Sequence, residues 1–264
     1  MTDGGSDSIE EKRVYGERRG KREVLVAAEV GIVAASVANG RVGEFGVEHR
    51  CSPRDVAASE GRVAVATPDD VLLDDGDGVD GTGFGPAVAV GVLDGTAIGA
   101  APDGRVARLV EEWETVGVVE AGINAISTEL VAADDGVHRI GDGLSYAGLS
   151  MVRDVSATGV PLAATADGLY ALGNGWMDVL EGDFHAVASD GERAHAATGA
   201  ELYERREDDW RAVSLPVDEP VVDVAYAGCP YAVTADGTLL AEPEDEDWRS
   251  HPLGVSGVVG LAVP

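Results

Sequence analysis

One segment of the chain occurs twice. Residues 152–171, VRDVSATGVPLAATADGLYA, and residues 221–240, VVDVAYAGCPYAVTADGTLL, agree at ten of twenty positions without a gap. A third copy, RDVAASEGRVAVATPDD (54–70), matches with one extra residue. VAVGVLDGTAIGAAPDG (88–104), INAISTELVAADDG (123–136) and FHAVASDGERAHAATGA (184–200) are more degenerate. The shared turn sets a register with seven anchors: Gly31, Asp70, Gly104, Gly136, Gly168, Ala200 and Gly237. They are 39, 34, 32, 32, 32 and 37 residues apart. A unit of about 34 residues cannot bury a core alone, so neighbouring units must stack.

Each copy reads as four short strands. An apolar run such as VVDVAYA is followed by YAVTA, an Asp-Gly turn and TLLAE, and a fourth strand begins at or near a Trp. Asp-Gly between alternating segments predicts hairpins with type I′ turns, in which both central residues have positive φ. Four-stranded units at this period predict an all-β, seven-bladed β-propeller of antiparallel blades. The expected blades are 54–85, 86–120, 121–150, 151–182, 183–216 and 217–254, with 23–50 plus 257–264 as the remaining one. Residues 24–50 hold a second, third and fourth strand but no clear first. The last residues, GVVGLAVP, match the first strand PVVDVAYA (220–227). The C-terminal strand is therefore expected to join the N-terminal blade and close the ring, which removes an exposed sheet edge. The competing assignment makes RVYGER (13–18) that first strand. Residues 1–22 read as a charged, partly disordered segment before a single domain at 23–264.

The composition fits this reading. Gly, at 36 residues, is abundant and the apolar residues are mostly Val, Ala and Leu, a mixture suited to short strands and not to helical bundles. There are 48 Asp and Glu against 19 Lys and Arg, a net charge of −29, and only Lys12 and Lys21 are Lys. Such a surface suits a salt-rich cytoplasm, where the Debye length falls to about 3 Å and self-repulsion is screened. It argues against non-specific nucleic-acid binding, which needs a positive footprint. No run of 18 apolar residues suggests a membrane span, and the N-terminus lacks the apolar region of a signal peptide. Cys51 and Cys229 follow no metal spacing and are expected as free thiols.

Trp113, Trp176, Trp210 and Trp248 fall 9, 8, 10 and 11 residues after their anchors. That regularity predicts filler between blades.

Four groups of residues are candidates for function. The first is the rim of the central channel, where innermost strands begin with Arg54-Asp55, Asn124, Arg153-Asp154, His185 and Val222-Asp223. Alternation gives Asp55, Asp154 and Asp223 equivalent orientations. The set would hold a small polar ligand or a cation, or would hydrogen-bond neighbouring backbone. The second is the acidic loop DDGDGVDGTG (74–83). Asp75 and Asp77 suit a calcium loop, but Val79 and the phase of Asp80 do not, so a solvated hairpin tip is expected. The third is His chemistry. His49, His138, His185, His195 and His251 include no HxxH or HExxH pair, and although His185 and His195 lie in neighbouring strands, no metal site is expected. The fourth is the basic run Lys12, Arg13, Arg18, Arg19, Lys21 and Arg22, which either lies against the acidic body or docks a partner. No cofactor motif and no catalytic constellation is present.

The segment ADGLYALGNGWMDVLEG (166–182) resembles a degenerate Asp-box repeat of the sialidase-type propellers, although Ser-x-Asp-x-Gly-x-Thr-Trp is complete in no copy. The set of Arg residues and the Tyr nucleophile of sialidases has no placement here, so the resemblance carries over no catalytic residue. The whole chain, including KRVYG and VGEFGVEHR, is similar to a haloarchaeal family of β-propellers without an established activity. That resemblance implies the fold alone. The functional expectation is a non-enzymatic cytoplasmic interaction platform with an unidentified protein partner. The competing expectation is a small ligand or cation, or hydrolase or lyase chemistry, at the channel rim.

Overall fold

Residues such as Leu162–Thr165, Leu130–Ala133 and Pro230–Thr234 show no alternation of polar and apolar side chains, and every position in them is buried. A strand with that pattern must be covered on both faces. In the computed structural model this cover comes from stacked four-stranded sheets. The structure describes residues 21–264 except Asp77, Asp208, Glu244 and Asp245. Strands β1 to β28, numbered in chain order, form seven antiparallel blades. Blade 1 contains 21–49 and 260–262. Blades 2 to 7 are 55–81, 89–118, 123–148, 152–181, 184–212 and 221–252.

The ring closes through the last strand. β28 (Gly260–Ala262) pairs antiparallel with β1 (Lys21–Ala28), with Val26 opposite Leu261. The backbone N–H groups of Val259 and Glu29 extend the zipper, to the carbonyls of Ala27 and Ser256. RVYGER lies outside the described residues; the innermost place in blade 1 belongs to β28. β1 begins at Lys21, so Lys21 and Arg22 open a strand, with exposed side chains. Lys12, Arg13, Arg18 and Arg19 lie outside the described residues.

Buried apolar side chains form seven clusters, one between each pair of neighbouring blades. Small residues set this spacing. A Cβ on Gly91 of blade 3 would stand 2.5 Å from Cγ2 of Ile126 in blade 4. Each Trp joins the cluster shared with the preceding blade. Trp176 also donates its indole N–H to the Ala147 carbonyl of blade 4 at 2.9 Å. The fourth strands β11 (Trp113–Val118) and β19 (Trp176–Glu181) form the wetted outer edge.

The turns depart from the type I′ expectation. Among the described residues, hairpin turns with both central residues at positive φ are Asn39-Gly40, Glu60-Gly61 and Asp94-Gly95, none of which is a repeat anchor. In blades 2, 5 and 6 the repeated turn is instead held by Thr, whereas the anchors Gly104 and Gly237 keep a positive φ. The Thr165 hydroxyl donates to the Gly168 carbonyl at 2.9 Å and accepts from the N–H groups of Asp167 and Gly168. Thr67 and Thr198 make the same three bonds in blades 2 and 6. Gly168 has no positive φ. A hydroxyl that bonds backbone two and three residues on closes the turn without a left-handed residue. In the acidic loop, Asp74 Oδ1 accepts from the N–H groups of Gly76 and Gly78, folding a hairpin tip; Asp77 lies outside the described residues.

Candidate functional site

The innermost strands surround a central cavity of about 310 Å³. Their inner edges have no further strand to pair with, so their N–H groups need other acceptors. Asp55, Asp154 and Asp223 supply them with one repeated geometry. Oδ1 of each accepts from the next residue in its own strand, at 2.8, 2.8 and 2.7 Å. Oδ2 crosses to the next blade and accepts from Val90, Val187 and Leu261, at 2.8, 2.7 and 2.8 Å. The position opposite must be small, because a Cβ on Gly260 would meet Asp223 Oδ2 at 3.2 Å.

The residues beside these carboxylates also reach across. Arg54 donates to the Ala87 carbonyl, and Asn124 Nδ2 to the Val152 carbonyl. His185 Nε2 lies 2.8 Å from the Val221 carbonyl, and Arg153 pairs with Asp183. All seven rim residues therefore bond the next blade or, for Arg54 and Arg153, the segment that leads into it. Burial raises the carboxyl pKa of Asp55 to about 7 and of Asp223 to about 6. It raises that of Asp154 well above its usual value, and repulsion among the three carboxylates adds to the shifts of Asp55 and Asp154. The backbone hydrogen bonds oppose these shifts without cancelling them.

A larger opening lies between blades 6 and 7, a groove of about 1080 Å³. Among the described residues, five carboxylates line it: Glu192, Glu207, Glu242, Glu246 and Asp247. Arg193, Arg206 and Arg249 face them. Its floor is a polar network whose carboxylates are mostly buried and whose Arg residues reach solvent. Arg193 pairs with Glu204 and Glu242, and Arg206 bonds Glu204 at 2.8 Å and lies 3.5 Å from Glu242. Glu242 is nearly enclosed, and those Arg residues hold the Glu204 carboxyl below its ordinary pKa against the opposing effect of burial.

His195 lies beneath this network with no exposed surface. Its Nδ1 is 2.5 Å from the hydroxyl of Tyr226, which lines the central cavity. The Trp248 ring packs edge-on against the imidazole at 5.4 Å, and Nε2 has no hydrogen-bond partner. Burial lowers the His195 pKa to about 3, so the ring is neutral. His185 and His195 do not converge, because His185 bonds the Val221 carbonyl while His195 turns to Tyr226.

Sequence spacing did not anticipate the meeting of His195, Glu204 and Glu242. His195 and Glu204 face each other across β21 (Ala194–Thr198) and β22 (Leu202–Arg206). Glu242 arrives from the next blade, directly after β26 (Thr238–Ala241). The only signal in the sequence was the repeat register, which places 204 and 242 in the same part of successive blades.

Comparison with known proteins agrees with the architecture. A family model described as HVO_0234-like, beta propeller, matches residues 8–264. The WD40 β-propeller domain of Doa1 is similar at a TM-score of 0.65 and 14% identity, over 90% of this chain and 89% of that one. The computationally designed Ika8 protein is similar at a TM-score of 0.60 and 14% identity, over 91% of both chains. At such identities the likeness shows the fold alone. No curated protein sequence matches the chain. Among the described residues no helix is long and apolar enough to cross a membrane.

Proposed function

The chain belongs to the HVO_0234-like β-propeller family, and we propose that it is a non-enzymatic interaction platform of a salt-rich cytoplasm. Its partner docks a basic segment in the groove between blades 6 and 7. The observation that carries this reading is the groove itself, where five carboxylates face three guanidiniums in an open space of about 1080 Å³. An Arg- or Lys-bearing strand or loop would find ion-pair partners there at contact range, where salt screens least. The channel rim is a weaker candidate, since Arg54, Asp55, Asn124, Arg153, Asp154, His185 and Asp223 all bond protein groups, whereas in the groove Glu242 and Glu246 are paired with Arg but the exposed Glu192, Glu207 and Asp247 stand outside the ion pairs of the described residues. A propeller is a rigid disc whose connecting segments vary without disturbing the core, which suits such surfaces to binding.

The test is purification of the tagged full-length chain from its native host at high salt. The groove variant is Glu246→Arg with Asp247→Arg. The control is Asp178→Arg with Glu181→Arg on the exposed strand β19. The wild type and the control should retain a stoichiometric protein partner, and the groove variant should not. Equal retention by all three chains excludes the groove. A small molecule retained by the wild type in place of a protein supports the channel reading instead.

A further inference from the structure

We infer that His195, Glu204 and Glu242 form a binding site for a divalent transition-metal ion of the zinc class. In the absence of the ion, the Arg193 guanidinium holds the place between the two carboxylates. One ligand atom from each of the three residues lies within 4.8 Å of the others. An imidazole with two carboxylates is a donor set that zinc accepts, and the two negative charges match the ion. The ligands sit on rigid elements. His195 and Glu204 are directly opposite on adjacent strands, which puts their side chains on one face. Glu242 is nearly enclosed at the end of its strand.

The surroundings of the imidazole point the same way. Nδ1 is engaged by the Tyr226 hydroxyl at 2.5 Å, an outer contact of the kind that orients a metal-binding His. That leaves Nε2, fully buried and without a hydrogen-bond partner. A buried polar atom left unsatisfied is costly, and a coordinated ion would satisfy it. Trp248 packs edge-on against the ring. Arg193 bridges Glu204 and Glu242, yet its side chain also lines the open groove, so it has room to swing aside when an ion enters. Arg206 contacts both carboxylates as well. The alternative is a closed ion-pair cluster of two Arg and two Glu that takes up no metal.

Full-length protein stripped with a chelator is titrated with Zn²⁺ against a chromophoric competitor, and separately with Co²⁺ by visible absorption. One ion per chain should bind, with ligand-field bands for Co²⁺. Glu204→Gln, which keeps the side-chain shape, should weaken binding by about 100-fold or more, and His195→Asn should do the same. The Cys51→Ser, Cys229→Ser chain should bind as the wild type does. Arg193→Ala removes the competing cation and should tighten binding by roughly tenfold. Should His195→Asn not fold, Glu204→Gln carries the test. The inference fails if no stoichiometric Zn²⁺ binds, if Glu204→Gln binds as tightly as the wild type, or if the Cys variant loses the ion. Metal uptake needs no partner, so this result and the docking result stand or fall separately.

Discussion

Thr165 closes its turn through a single oxygen atom, donating one hydrogen bond and accepting two, at a site almost free of solvent. Thr165→Val keeps the volume and removes all three. Two backbone N–H groups then lose an acceptor, at a cost of about 2–3 kcal/mol. For a chain of this size each kcal/mol lowers Tm by roughly 2–4 °C. Calorimetry should record a fall of that order, and an unchanged Tm would show the hydroxyl to be dispensable. The rim carboxylates follow similar logic with charge added. Their folded-state pKa lies above that of a free carboxyl, so the folded protein binds protons more tightly than the unfolded chain. Stability should therefore fall as pH rises from about 4 through about 7. At fixed molar salt, Tm should be higher at pH 5 than at pH 8, and Asp55→Ala should shrink the difference. A variant with the full wild-type pH dependence would remove Asp55 from the explanation.

β28 is short, yet it completes a blade, covers the inner edge of β1 and supplies the N–H that Asp223 accepts. Truncating 257–264 leaves β1 as an exposed edge and opens the cluster that includes Leu261. Tm should drop by roughly 10 °C or more, with concentration-dependent aggregation. A truncated chain that melts like the wild type would exclude closure by this strand. At this scale the sequence was most informative. The match of GVVGLAVP to PVVDVAYA identified the closing strand, because innermost strands share one environment and hence one pattern. Equivalent orientation of Asp55, Asp154 and Asp223 was also legible, since it follows from strand alternation. Their receivers were not, because Val90, Val187 and Leu261 offer backbone N–H groups that carry no side-chain signature. The turn type was misread for a related reason. Asp-Gly has a strong local preference, but in blade 5 the Thr before it offers a competing hydroxyl that closes the turn with Gly168 outside the left-handed region, whereas Gly237 after the same Thr-Ala-Asp keeps a positive φ. His195, Glu204 and Glu242 stayed hidden because nine residues of hairpin and one blade-to-blade contact separate them in sequence.

Across the whole molecule, seven clusters between blades do the work of a single core, and a surface of net charge −29 surrounds them. Lowering the salt from 1 M to 0.1 M lengthens the Debye length from about 3 to about 10 Å and lets surface carboxylates repel one another. Tm should fall steadily over that range, and a salt-independent Tm would contradict an adaptation to salt. The ring also separates two kinds of polar residue. Those at the channel rim bind one blade to the next, whereas the groove between blades 6 and 7, beside its own ion pairs, carries the exposed carboxylates of Glu192, Glu207 and Asp247. The most direct measurement is the ratio of retained partner to chain, by native mass spectrometry, for Asp55→Ala beside the Glu246→Arg, Asp247→Arg variant. A rim variant that keeps its partner and a groove variant that loses it is the predicted result. Loss from the rim variant with retention by the groove variant would contradict it.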